Sequence, residues 1–197
     1  MEQVVAVDGR TARRLANRSA VVEAMLGLID ETGLEPSVEE IADRSGISER
    51  SIFRYFDGLD DLRRAAIERN FERVAPLLAV DDVGIGPLDE RVARFVDTRL
   101  RACEAMGGAS RVARRNAPFQ PLVSAEVARF RRQLAEQVRA HFAPELQART
   151  RAEADDVEVI VDVLVSVDAW DQLTSDLGRS RTQVRRAWTR ALLALLG

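Results

Sequence analysis

Residues 37–56 read SVEEIADRSGISERSIFRYF, and this stretch decides the fold. Ser37 and Glu40 stand three apart, the spacing of a capping box that opens a short helix. Val38, Ile41 and Ala42 recur at helical spacing and aim that helix at a core. Gly46 supplies the positive φ a sharp turn needs, and Ser48 caps a second helix reaching Phe56. Ile47 and Ile52 fill the angle between the two, and small Ala42 lets them cross closely. Glu49, Arg50, Ser51, Arg54 and Tyr55 are left on the outer side of the second helix. A helix carried in this way enters a major groove by its N-terminal half. The stretch is therefore a helix-turn-helix, with Ser48, Arg50, Ser51, Arg54 and Tyr55 as candidate DNA contacts.

Upstream, Leu15, Val22, Met25, Leu26 and Ile29 place one apolar stripe on a helix over 11–32, with Gly33 just past its end. Downstream, Asp57-Gly58 breaks the chain. Leu62, Ala66, Phe71 and Val74 then define a helix over 60–78, which Pro76 kinks or stops. The stretch DDVGIGP, 81–87, carries no periodic pattern and marks a boundary. Beyond it, further helices are predicted over 88–106, 109–116, 121–142, 153–177 and 180–196. Gly107-Gly108 and Pro118 separate the first three, and Ser180 with Gln183 forms another capping box. One segment is ambiguous. Valines at 157, 159, 161, 163, 165 and 167 alternate as in a strand. The absence of Gly or Pro from 152 to 177, and the helical spacing of Ile160, Val163, Leu164, Val167, Trp170 and Leu173, favour a helix. The fold is all-α: an N-terminal three-helix DNA-binding domain, followed by a C-terminal helical bundle.

Composition narrows the function. No apolar run of 18 or more residues spans a membrane, and the first ten residues, MEQVVAVDGR, are no signal peptide. Cys103 is the single cysteine, which excludes an internal disulfide or a cysteine-rich zinc site and reads as a small core residue. A cytoplasmic location is expected. His141 is the only histidine, beside Phe142 and close to Pro144, so no catalytic triad is expected. No phosphate-binding or dinucleotide-binding glycine pattern is present. No catalytic residue, metal site or cofactor is assigned.

The charge does not advertise a nucleic-acid binder. Residues 1–64 hold 9 Arg against 13 acidic residues, and residues 65–197 hold 20 against 19. DNA binding must therefore rest on where the arginines sit. All the basic residues are Arg, whose planar fork suits phosphate and guanine edges; compositional bias from a GC-rich genome is the favoured explanation of the Arg-only usage.

The long first helix ending in Gly33, then IADRSGIS at 41–48, SIFRYF at 51–56 and the downstream Leu62 together resemble the TetR family of repressors. The family's common pattern has Ile-Ala, a Gly-Val-Ser turn, a Tyr followed by Tyr or His and Phe, then Lys-Glu and Leu. The tail VLVSVDAWDQL, a break and a leucine-rich last helix also look like the family's dimerising pair. The resemblance implies a homodimer on a palindromic double-stranded DNA operator, released when a small-molecule inducer moves the linking helix. It implies a DNA-binding domain over 1–60 and a ligand-sensing and dimerisation domain over 61–197. Three departures matter. Phe53 stands where the family often has a Tyr that reaches phosphate, Leu59 where it often has Lys, and Arg50 where it often has a small residue. The arginines at 10, 13, 14 and 18 resemble the basic extension that some members lay along DNA, which makes Arg13 and Arg14 candidate contacts; an ordinary charged helix start has the same look.

For the inducer, Phe95, Phe119, Phe130 and Trp170 are the aromatic walls available, with Arg99 and Ser166 as polar anchors one helical turn from Phe95 and Trp170. The same aromatics suit an ordinary core, with Arg99 paired to an acidic neighbour. Asp162 and Ser166 share a face of an apolar helix and need partners, either a ligand or an arginine across an interface. Val163, Val167, Trp170, Trp188, Leu192, Leu193, Leu195 and Leu196 on the last two helices exceed the apolar surface a monomer usually exposes, so a two-fold dimer is expected there. Two other classes remain open: a helical interaction protein, and a decayed enzyme, neither binding DNA.

Overall fold

Gly33 and Gly46 both adopt positive φ, 66° and 68°, and each ends a helix where a side chain would be strained. Those two stops shape the N-terminal part of the structure, a computed structural model that describes residues 9–197. There, α1 (Gly9–Thr32), α2 (Val38–Ser45) and α3 (Glu49–Tyr55) lead into α4 (Gly58–Leu78). The capping box opening α2 is formed: the Ser37 N–H donates to a Glu40 carboxylate oxygen at 2.7 Å, and the Glu40 N–H to Ser37 Oγ at 3.2 Å. Ser48 occupies the N-cap position of α3, but its hydroxyl lies 3.1 Å from Ser51 Oγ and makes no cap bond. α4 runs on through Pro76 to Leu78 instead of stopping at the proline.

The second half comprises α5 (Leu88–Asn116), α6 (Pro121–His141), α7 (Ala143–Gln147), α8 (Arg151–Leu164), α9 (Val167–Asp171), a π turn (Gln172–Asp176) and α10 (Arg181–Leu196). The described residues contain no strand. Two expectations from the sequence are corrected. Gly107-Gly108 does not divide the chain: α5 continues through it as one 29-residue helix. Gly108 serves a close approach, since a Cβ there would stand 3.0 Å from the Ile29 carbonyl oxygen and 3.1 Å from Asp30 Cα on α1. The helix expected over 153–177 divides after Leu164, because Ser166 Oγ accepts the Ala169 N–H at 3.1 Å and caps a new helix. The upstream half starts at Arg151, set by an unforeseen capping box of Thr150 and Glu153.

The alternating valines resolve as a helix. Val157, Val161 and Val165, four apart, are buried, while Val159 and Val163 face outward at 62% exposure. Two apolar cores form. One gathers Val21, Met25, Leu26 and Ile29 of α1, Ile41, Ile52 and Phe56 around the turn, Leu62 and Ala66 of α4, and Val112 of α5. The other takes Val74 and Leu78 of α4 with Phe95, Leu100, Val138, Phe142, Val161, Trp188 and Leu192. α4 and α5 thus contribute to both cores, so neither core shifts without moving a helix the other shares.

Candidate nucleic-acid interface

Ile41, Ile52 and Phe56 are each at most 2% exposed, and they lock α2 against α3. With that seam inward, Arg50, Phe53 and Arg54 are exposed on the opposite side of α3, with Ser48 at its start. Ser51 and Tyr55 lie half-buried on the flank facing α1. Glu49 is the one carboxylate of α3, exposed in its first turn, where the helix dipole favours it.

The Tyr55 hydroxyl is the focus of a small network. It accepts from Asn17 Nδ2 at 2.9 Å and from Arg54 Nη2 at 3.3 Å. Those bonds, Asn17's first, hold its pKa below the ordinary tyrosine value, with the positive charges of Arg54 and Arg13 adding to the effect. A phenol has one proton and two acceptor sites. Both acceptor sites are occupied, so the hydroxyl has only its proton to offer an incoming group. Asn17 was not legible as a site residue; it reads as one more polar position on an amphipathic helix.

Arg18 has a different task from the arginines beside it. Its guanidinium donates to the Tyr55 carbonyl at 2.7 Å, pairs with Asp61 at 3.3 Å and lies 4.2 Å over the Phe56 ring. It ties α1 to the end of α3 and the start of α4, and holds the Asp61 carboxyl below its usual range. Other arginines are likewise consumed: Arg44 by Glu31, Arg63 by Glu35 and Asp60, Arg69 by Glu23 and Glu72, and Arg73 by Asp30. Among the described residues, Arg13, Arg14, Arg50 and Arg54 make no ion pair, and all four are exposed. The acidic total of the N-terminal part is therefore misleading: many of its carboxylates sit in internal pairs, while the unpaired cations include those flanking the outer side of α3. Exposed positive groups with backbone-reaching donors are the equipment for holding a phosphate backbone.

Residues 21–66, from the middle of α1 to the first turns of α4, match the family model described as "Bacterial regulatory proteins, tetR family". Over this segment the chain is similar to the TetR family. The match supports a DNA-binding transcriptional regulator with a helix-turn-helix, and a helical C-terminal part follows the matched segment. No curated protein sequence matches the chain. No helix among the described residues is long and apolar enough to cross a membrane.

A second feature of the chain is a cavity of about 330 Å³ between its two cores. Met25 and Ile29 of α1, Ala66 and Phe71 of α4, Met106 of α5, Phe130 of α6, Asp162 of α8 and Ser166 line it. Phe71 and Phe130 pack ring to ring at 5.1 Å and form its aromatic wall. Burial pushes the Asp162 carboxyl above its usual range, against the pull of Arg99 and Arg131.

Of the six ligand residues expected from sequence, the cavity takes Phe130 and Ser166 and leaves out the other four. Phe95 is fully buried, stacked on His141 and edge-on to Phe142. Arg99 does lie over Phe95, at 4.6 Å, but their shared face points into the core. There Arg99 donates to Gln137 Oε1 at 2.9 Å and the Leu134 carbonyl at 3.1 Å, and burial lowers its pKa to about 10. Trp170 packs against Trp188, ring centroids 6.4 Å apart. Phe119 is 83% exposed in the turn between α5 and α6. Met106, two turns beyond Arg99, does reach the cavity. Cys103 is buried, which pushes its thiol up to about 12, as for a small core residue.

Proposed function

We propose that the chain is a homodimeric repressor, acting in the cytoplasm, whose hold on a palindromic operator is released by a small molecule entering this cavity. One observation carries the reading: the lining joins Met25, Leu26, Ile29 and Ala66 of the N-terminal core to Met106, Leu134 and Val167 of the other. A guest there presses on α1 and α4 directly, and these helices hold the reading head in place. For release, the guest must bind the DNA-incompetent arrangement more tightly than the competent one. The mostly apolar wall with a few polar groups suits a drug-sized, largely apolar ligand. The reading makes the chain a regulator and not an enzyme, with the DNA-binding domain over 1–60 and the sensing and dimerising domain over 61–197.

Part of the apolar set expected at the dimer surface is turned inward. Trp188, Leu192 and Leu196 are buried in the chain's own core and are not offered to a partner. Val163 of the expected set is exposed, and with Val159 and Ile160 it forms an apolar stripe on α8. An apolar stripe of this kind supports a two-fold contact through α8 beside α10.

Selection of bound DNA from a random pool, repeated in the presence of a small-molecule library, tests the reading. The expected product is a palindrome with half-sites about one helical turn apart, or a multiple, from which some compounds release the protein. Enrichment of a lone half-site would refute the dimer. Retention on DNA across compounds that demonstrably bind the cavity would refute release.

A further inference from the structure

Phe53 is 50% exposed on α3, between Arg50 and Arg54 on the outer side proposed above to face DNA. Its neighbours on that surface are Arg50, one turn before it, and Arg54. The other large apolar side chains of α3 and its end, Ile52 and Phe56, are buried. A phenyl ring carries no donor or acceptor, so it contributes no hydrogen bond to a phosphate oxygen or a base edge. In water it is an unfavourable group to present, and arginines without ion-pair partners flank it. The major groove displays one apolar group, the C5-methyl of thymine, and phenyl rings are among the groups that pack on it.

We infer that Phe53 is a specificity residue that reads one thymine in each half-site by packing on its methyl group. The neighbouring arginines hold the helix on the backbone or a guanine edge. The inference rests on DNA binding by α3 and not on the cavity or on any inducer, so it stands or falls separately from release.

The test replaces each thymine of the selected DNA, one at a time, with deoxyuridine, which lacks only the methyl. Affinities are read by fluorescence anisotropy. For the unmodified protein, one position per half-site should weaken binding about three- to tenfold, as expected for losing one buried methyl. Phe53→Ala should bind the thymine and deoxyuridine forms equally. Phe53→Leu, which keeps a shorter apolar group, should retain part of the discrimination and guards against an alanine variant too weak to measure. Since Phe53 is exposed, the melting temperatures of both variants should match that of the unmodified protein. The inference is overturned if no thymine methyl matters to the unmodified protein, or if Phe53→Ala or Phe53→Leu shows the same methyl dependence as Phe53.

Discussion

The Tyr55 hydroxyl offers the sharpest test of how α3 holds DNA. With its two acceptor positions filled by Asn17 at 2.9 Å and Arg54 at 3.3 Å, its proton is directed to an outside acceptor. On DNA the nearest abundant acceptor is a phosphate oxygen. A hydrogen bond to a charged group contributes about 1.5–3 kcal/mol, so Tyr55→Phe should weaken each half-site by about 10- to 150-fold. Asn17→Ala leaves the hydroxyl in place but frees it to turn, so the expected loss is smaller. In the Tyr55→Phe background, Asn17→Ala should add almost nothing, because there is no longer a hydroxyl to aim. That non-additivity is what a double-mutant cycle reads.

Salt dependence separates this contact from a purely ionic one. Arg54→Ala removes a cation and should flatten the slope of log affinity against log salt by about 0.9. Tyr55→Phe removes none and should leave the slope unchanged. Additive losses for Asn17 and Tyr55 would show that Asn17 does not aim the hydroxyl. Full affinity of Tyr55→Phe would remove Tyr55 from the interface altogether.

Other substitutions probe the fold and the cavity. Gly108→Ala places a methyl against the α1 backbone, where overpacking of about 1–3 kcal/mol outweighs the roughly 1 kcal/mol gained in helix propensity. Gly27→Ala meets only the Arg44 guanidinium at 3.6 Å and should raise the melting temperature instead. His141 is buried with Nε2 3.0 Å from the Arg91 carbonyl and Nδ1 3.4 Å from the Gly84 N–H, and burial holds its pKa below the ordinary 6.5. The neutral ring is thus favoured by folding. Its contribution is complete above pH 6.5 and is lost as pH falls through the lowered folded value. Urea titrations from pH 7.5 to 5 should show this loss in the unmodified protein and a smaller one in His141→Gln. Phe130→Ala should cost well under the about 3–5 kcal/mol of a packed core phenylalanine, because one side of the ring faces the cavity. It should blunt the inducer response while leaving DNA binding without ligand near normal, and a large stability loss without that selective effect would contradict the wall assignment.

What was legible in the sequence depended on how far apart the deciding atoms lie along the chain. The capping boxes at Ser37 and Ser180, the left-handed stop at Gly46 and the outward placing of Arg50 and Arg54 are settled within a few residues of themselves and are legible directly, whereas Ser51 and Tyr55, expected on the same outer side, lie half-buried towards α1. Gly107-Gly108 was misread because its meaning lies in α1, some 80 positions earlier: without Ile29 and Asp30 in view, a glycine pair looks like a break. Asn17 escaped for the same reason, since its partner is Tyr55.

The aromatic residues make the point most clearly. Phe95 and Phe130 both sit on amphipathic helices and share one residue type, yet one is sealed between His141 and Phe142 while the other faces open space beside Phe71. Periodicity reports which side of a helix turns inward. It does not report whether the inward side meets another side chain or a void, since that depends on how closely several helices approach. Here the spacing is set in part by Gly108, which brings α5 against α1 while Met106, two residues earlier, lines the cavity. A substitution that widens this approach should therefore reshape the cavity as well as the stability. Gly108→Ala is the variant in which altered ligand response and altered melting should appear together.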